Sequence, residues 1–172
     1  MNGTTAPFSD DANVTNLNSN SGDLSLYFEG IGAGGPQDII LPFGSGTPYT
    51  NGDFEFSANF YVNQGTGAYF NFQAENIPGI SWSLDVQMDA LGNISFENGG
   101  GASVYVTGIY PMDTWFEIKI IVDLTINNWE IFIDGISQGV FSNPINKIAS
   151  LDLYPIGGHQ FYVDDVCYSY TP

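Results

Sequence analysis

The sequence is nearly empty of positive charge. It has no arginine, two lysines (Lys119 and Lys147) and one histidine (His159) against 19 carboxylates, which gives a net charge of −17 over 172 residues. Nucleic acid and anionic lipid both require a basic surface, so neither is an expected partner. One cysteine, Cys167, excludes an internal disulfide and the cysteine spacings of zinc sites. Apolar runs are short, and none approaches the roughly 18 residues of a membrane span. Membrane insertion is therefore not expected, and the polar opening MNGTTAPFSDD lacks the apolar stretch of a secretory leader. The scarcity of charge does not imply disorder. Aromatic residues make up 15% of the chain and glycines number 21, the composition of a packed chain with many turns.

Period-two alternation dominates what remains. Phe54, Phe56, Ala58, Phe60 and Val62 share one face of the segment 53–62. The same pattern recurs in 68–74 (Phe70, Phe72), in 80–88 (Ile80, Trp82, Leu84, Val86, Met88), in 116–122 (Ile118, Ile120) and around Trp129, Ile131 and Ile133. Asn63–Gly67, Leu91–Asn93, Asn98–Gly101 and Asp134–Ser137 separate these runs and supply the positive φ angles of tight turns. No window carries a 3.6-residue stripe. Short strands at about 8–12-residue spacing predict an all-β antiparallel sandwich or barrel. Residues 1–172 form a single expected domain, with 1–22 as an edge strand or a partly ordered arm.

Three stretches carry a resemblance: Asp113-Thr-Trp-Phe-Glu-Ile-Lys-Ile-Ile-Val-Asp-Leu, Trp129-Glu-Ile-Phe-Ile-Asp-Gly, and Phe161-Tyr-Val-Asp-Asp-Val. They resemble the concanavalin A-like lectin/glucanase superfamily in its laminin-G-like form. Gly35-Pro-Gln-Asp-Ile-Ile-Leu-Pro-Phe-Gly and Gly67-Ala-Tyr-Phe-Asn-Phe-Gln are similar to modules of large secreted, Bacteroidetes-type surface proteins. The resemblance implies a two-sheet antiparallel β-sandwich, or jelly roll. It also implies a secreted or cell-surface location, a larger multidomain parent, and a further aromatic strand ahead of Met1. Lectins, carbohydrate-binding modules, spacers and glycoside hydrolases all share this fold, so function has to be read from a site.

Glycoside cleavage requires paired carboxylates, roughly 5–5.5 Å or 6.5–9.5 Å apart. The Glu-x-Asp-x-x-Glu run of the superfamily's hydrolases is missing. Asp53 and Glu55 open a strand after a turn, and Asp85 and Asp89 lie about 13 Å apart along an extended chain. Catalysis is accordingly not expected, and His159, without a nucleophile nearby in sequence, reads as a loop histidine.

Sugar binding requires aromatic faces with amides or carboxylates beside them. If the phenylalanines point inward, then Asn59 and Tyr61, then Tyr69, Asn71 and Gln73, then Ser83 and Asp85 point outward from three consecutive strands. These seven form the expected ligand surface, on the concave sheet, for a neutral polysaccharide or glycan. The rival reading of the same residues is the wet side of an antiparallel sheet in a structural or adhesion domain. Trp115 and Trp129 are expected in the core. Calcium is the expected cofactor in a structural role. The resemblance places it at Asp164 or Asp165, with Asp10, Asp11 or Glu29 as partners.

Overall fold

The computed structural model describes residues 11–44, 47–98 and 103–172. Among them there is no helix, and the strands run β1 (Asn13–Thr15), β2 (Ser25–Glu29), β3 (Ile39–Pro42), β4 (Asp53–Val62), β5 (Ala68–Gln73), β6 (Trp82–Met88), β7 (Asn93–Asn98), β8 (Ser103–Ile109), β9 (Trp115–Asp123), β10 (Asn128–Ile133), β11 (Ile136–Phe141), β12 (Ser150–Leu153) and β13 (Gln160–Thr171). Every pairing is antiparallel. One sheet has the order β1-β2-β13-β4-β9-β10-β11, the other β3-β12-β5-β6-β7-β8. The expected β-sandwich is thus the observed fold. The expected edge strand is β1, while Asp10 and the residues before it lie outside the described ones.

Alternation explains why the sheets close on each other. The five apolar residues of β4 are all buried, as are Phe116, Ile118, Ile120 and Val122 of β9. Opposite them lie Phe70, Phe72, Leu84, Val86 and Phe96 of the second sheet. Ring centroids meet across the interface at 5.2 Å for Phe56 and Phe72 and 5.1 Å for Phe60 and Phe70. Each such ring removes 150 Å² or more from water, so this layer dominates the stability of the fold. Trp129 is fully buried, as expected, with its indole N–H donating to Asn146 Oδ1 at 3.0 Å. Between β10 and β11, Asp134 and Gly135 (φ 48° and 73°) make the two-residue turn that their positive φ angles predict.

One sequence expectation fails here. β4 and β5 are consecutive but do not pair: the segment between them crosses from one sheet to the other. Both strands bury their phenylalanines toward each other, so their polar faces point away on opposite sides of the sandwich. Asn59 and Tyr61 are therefore separated by the whole core from Tyr69, Asn71, Gln73 and Asp85.

Candidate functional site: the outer face of the six-stranded sheet

The pairing of the second sheet sets a row of side chains straight across its outer face. Asp152 of β12 pairs with Asn71 of β5, Asn71 with Asp85 of β6, and Asp85 with Glu97 of β7. Cross-strand partners point the same way, so all four share the solvent side. They are nevertheless largely enclosed, with Asn71, Asp85 and Glu97 at 1%, 4% and 7% exposure.

A hydrogen-bonded hub ties these groups together. Asn71 Nδ2 donates to Asp152 Oδ2 at 2.9 Å, and Gln73 Nε2 donates to Asn71 Oδ1 at 2.7 Å and to Asp152 Oδ2 at 3.2 Å. The Gln73 side-chain oxygen Oε1 accepts from the N–H of Gly79, whose φ of 82° suits glycine at the turn that wraps this corner. Tyr69 donates its hydroxyl proton to Asp85 Oδ1 at 2.5 Å. Burial, with the Asp85 carboxylate beside it, holds the Tyr69 phenol protonated far above its ordinary range.

Trp82 joins this face through a bulge that the alternation does not reveal. Phe72 pairs with Leu84 but Gln73 pairs with Trp82, so Ser83 is an extra residue on β6. The extra residue inverts the parity of the strand and turns Trp82 outward. Asn143 Nδ2 donates to the freed Ser83 carbonyl at 2.7 Å, and Asn98 Nδ2 lies 3.4 Å from the carbonyls of Trp82 and Ser83. The sequence reading had Trp82 in the core and Ser83 on the ligand face. The structure reverses both: Ser83 is fully buried, with its hydroxyl donating to the Phe72 carbonyl at 3.2 Å.

Three adjoining cavities follow this face. The central one, about 560 Å³, is lined by Tyr69, Asn71, Trp82, Asp85, Asp152 and Tyr154, among others. It shares Trp82 and Asp152 with a second of about 680 Å³, where Asp11 and Asp38 also lie. On the other side it shares Gln87 and Ile156 with a third of about 850 Å³. Joined through these shared residues they make a groove, and each cavity has the size and mixed apolar and polar lining of a ligand site. Tyr69, Asn71, Gln73 and Asp85 of the expected surface stand in it. Trp82, Asp152 and Tyr154 join them unforeseen.

Burial raises the Asp152 carboxyl from its ordinary 3.8 to about 6, with Asp38 adding to the rise and the Asn71 amide opposing it. The folded state then holds a proton that the unfolded chain has lost, so this group's contribution to stability is full below about pH 4 and falls as pH rises through 6. Asp152→Asn removes this dependence. Its melting temperature relative to the parent should climb between pH 5 and pH 7.5, and a constant difference would disprove the assignment.

Asn59 and Tyr61 lie on the far sheet within an aromatic row. Tyr27, Tyr162, Tyr61 and Trp115 are successive cross-strand partners, with neighbouring ring centroids 4.8, 5.8 and 5.7 Å apart. Trp115 is half-buried here rather than in the core, and its indole N–H donates to Asn18 Oδ1 at 3.1 Å. Successive planes are tilted by 39°, 86° and 58°, so the rings brace one another and offer no common platform. Tyr61→Ala should cost about 1 kcal/mol of stability in denaturant melts. It should leave ligand affinity at the groove unaltered.

The four expected calcium ligands are not brought together. Asp164 Oδ2 accepts from the N–H groups of Asn20 and Ser21 at 2.8 and 3.1 Å, and Asp165 accepts from the side chains of Ser21 and Asn20 at 2.5 and 2.8 Å. These bonds hold the Asp165 carboxyl below its ordinary range. A bulge at 164–167 with Asp165 at φ 50° lets both carboxylates face the same turn. Glu29 stands about 13 Å along the sheet, pairing with Gln160, while Asp11 lies in the groove. Among the described residues no three acidic, histidine or cysteine side chains converge on a point that could hold a metal.

No family model and no curated protein matches the chain. Solved structures do match it. The carbohydrate-binding module CBM66 from Bacillus subtilis superposes with a TM-score of 0.59 at 12% identity, covering 94% of each chain. The alginate lyase AlgAT5 from polysaccharide lyase family 7 superposes at 0.65 with 7% identity, over 86% of this chain and 79% of the other. A sialidase superposes at 0.62 with 13% identity over 88% of this chain, which spans only 16% of the sialidase. At these identities the likeness is one of fold alone, a two-sheet antiparallel β-sandwich of the jelly-roll kind.

Proposed function

We propose that this domain is a non-catalytic carbohydrate-binding module and that its ligand lies in the groove over β12, β5 and β6. The observation that carries this reading is the bulge at Ser83. It turns a tryptophan out of the core to stand beside Tyr69, Tyr154 and enclosed amides and carboxylates. Aromatic faces take the C–H side of a sugar ring while the polar groups take its hydroxyls. The similarity in fold to CBM66 supports the reading without specifying a sugar. A net charge of −17 disfavours sulfated and uronic polymers.

Affinity electrophoresis through gels cast with a panel of polysaccharides tests the proposal. Retardation by at least one, relieved by free oligosaccharide, is expected. Migration unchanged through all of them would favour the structural or adhesion role. A catalytic reading has one observation behind it, the facing of Asp85 and Glu97 on adjacent strands about 5 Å apart. Tyr69 and Ser95 donate to these two carboxylates. Release of reducing ends from a bound polymer, abolished in Glu97→Gln, would establish that reading; none is expected.

Secretion or display on a cell surface within a larger protein belongs to the same proposal, and its support is the sequence resemblance. Calcium is carried forward for Asp164 and Asp165 alone, where the ion would displace the donors of Asn20 and Ser21. Binding there raises the melting temperature by linkage. Equal melting in calcium and in chelator would exclude it.

A further inference from the structure

Sheet edges leave backbone groups unpaired, and this sandwich protects its four edges unequally. β1 and β3 have three and four residues. Asp11 stands just ahead of the first, and Asp38 directly precedes the second, which ends on Pro42. Short length, charge and proline all keep an edge from pairing with another chain. β11 is longer, but its ladder with β10 is broken by a bulge at Ile131 and Phe132. β8 has seven residues, no charge and no proline, and pairs with β7 alone. Its last four, Val106–Ile109, keep an unbroken register with β7. The Tyr110 N–H donates to the Gly92 carbonyl at 2.8 Å. In the antiparallel rhythm Gly108 and Val106 then face β7, while Thr107 and Ile109 turn their N–H and C=O groups to the open side. The edge is also braced from behind. Tyr105 lays its ring on Phe141 of β11, with centroids 4.4 Å apart and planes 7° from parallel. Gly139 of β11 lies so near that a Cβ there would stand 3.3 Å from the Val106 side chain. Pairing β8 therefore requires little further ordering.

We infer that a second copy of this chain docks on this edge, its β8 pairing antiparallel with the first about a twofold axis. Charge selects the occupant. Each copy carries −17, so contact between two copies is opposed wherever carboxylates meet. No charged residue lies between Glu97 and Asp113 or between Asp134 and Lys147, the stretches that contain β8 and β11. A basic partner would be drawn to the acidic faces instead, whereas a like-charged copy is tolerated only on an uncharged side. The contact is also self-complementary, as a twofold requires. Val104 and Ile109, 52% and 77% exposed, lie on the outer face at opposite ends of β8, and the axis brings each end of one strand against the other end of its partner. Antiparallel pairing keeps both outer faces on one side. On the carbohydrate-binding reading an immobilised polymer then meets two grooves at once, but the pairing itself does not depend on that reading.

A single edge makes a contact at the small end of the interface range, so the dimer should be weak, half formed between about 10 μM and 1 mM. Sedimentation equilibrium of the whole chain tests this, in reducing buffer to exclude a Cys167 disulfide. The mass should rise with concentration from that of one chain toward that of two. Raising salt from about 20 mM to about 0.5 M should strengthen the dimer by about threefold or more, because the like charges are screened. Weakening by salt would mean ion pairs make the contact and would overturn the inference. So would growth past two chains, or a single-chain mass up to about 1 mM, which would leave the edge to an extended segment of another protein. Amide exchange at Thr107 and Ile109 should slow as the dimer forms; unchanged exchange there while the mass doubles would place the contact elsewhere. Val104→Glu with Ile109→Glu should give a monomer at every concentration, with a melting temperature within about 2 °C of the parent, since both side chains are exposed. Val14→Glu with Leu17→Glu adds the same charge beside β1, where both side chains are also exposed, and should leave the dimer in place. Equal loss in both double variants would reduce the effect to net charge and overturn the assignment to β8.

Discussion

Trp82→Ala should weaken polysaccharide binding by at least tenfold, about 1.4 kcal/mol, with little change in the folded structure. The expectation rests on where the bulge leaves the indole. Trp82 lines both the central cavity and its neighbour on the β3 side, so a chain lying along the groove crosses it. Removing a stacking ring loses its area and its specific contact geometry, and central aromatic residues are where binding energy concentrates. The core is not opened by the change, because Trp82 is half-buried on the outer face while Leu84 and Val86 fill the interior. Ser83→Gly keeps the backbone excess and serves as the control for the bulge itself. Undiminished affinity in folded Trp82→Ala would place the ligand outside this groove.

The fold was legible because it depends on alternation, and alternation is local. β4 occupies the 53–62 segment that the sequence marks, and β10 with its Asp134-Gly135 turn follows equally directly. The site was legible in part. Tyr69, Asn71, Gln73 and Asp85 lie outward on two strands that do pair, so period two placed them correctly. Asn59 and Tyr61 were misplaced because stacked strands and side-by-side strands bury the same alternate residues. Trp82 and Ser83 exchanged roles because one inserted residue reverses a strand's parity. The signal for that was present but weak: Ile80-Ser-Trp-Ser-Leu follows Pro78-Gly79, an irregular entry that invites a bulge. Asp152 was not recognisable at all, since it reaches this row through the pairing of β12 with β5, strands far apart in sequence, whereas Glu97 lies on the strand directly after β6 and was within reach of a hairpin reading.

Phe72→Ala should cost about 3–5 kcal/mol of folding stability, the largest effect expected of any single substitution considered for this chain. Its ring is fully buried and meets Phe43, Phe54, Phe56 and Phe70 at centroid distances of 5.9, 5.9, 5.2 and 6.2 Å. Backbone hydrogen bonds to two flanking strands hold β5 in place, so the cavity cannot collapse freely. For a domain of this size the loss lowers the melting temperature by about 6–20 °C. Combining Phe72→Ala with Phe54→Ala then distinguishes the observed stacking of β4 and β5 from the hairpin their order in sequence suggests. In the sandwich the two rings meet edge to face at 5.9 Å and 88°. In a hairpin turning at Asn63–Gly67, Phe72 would instead lie opposite Ala58, with Phe54 four residues and about 13 Å away. Direct contact predicts a coupling energy of about 0.5–1.5 kcal/mol in the double-mutant cycle. Additivity within about 0.3 kcal/mol would mean the rings do not touch, and the two polar faces would then no longer be fixed on opposite sides of the molecule.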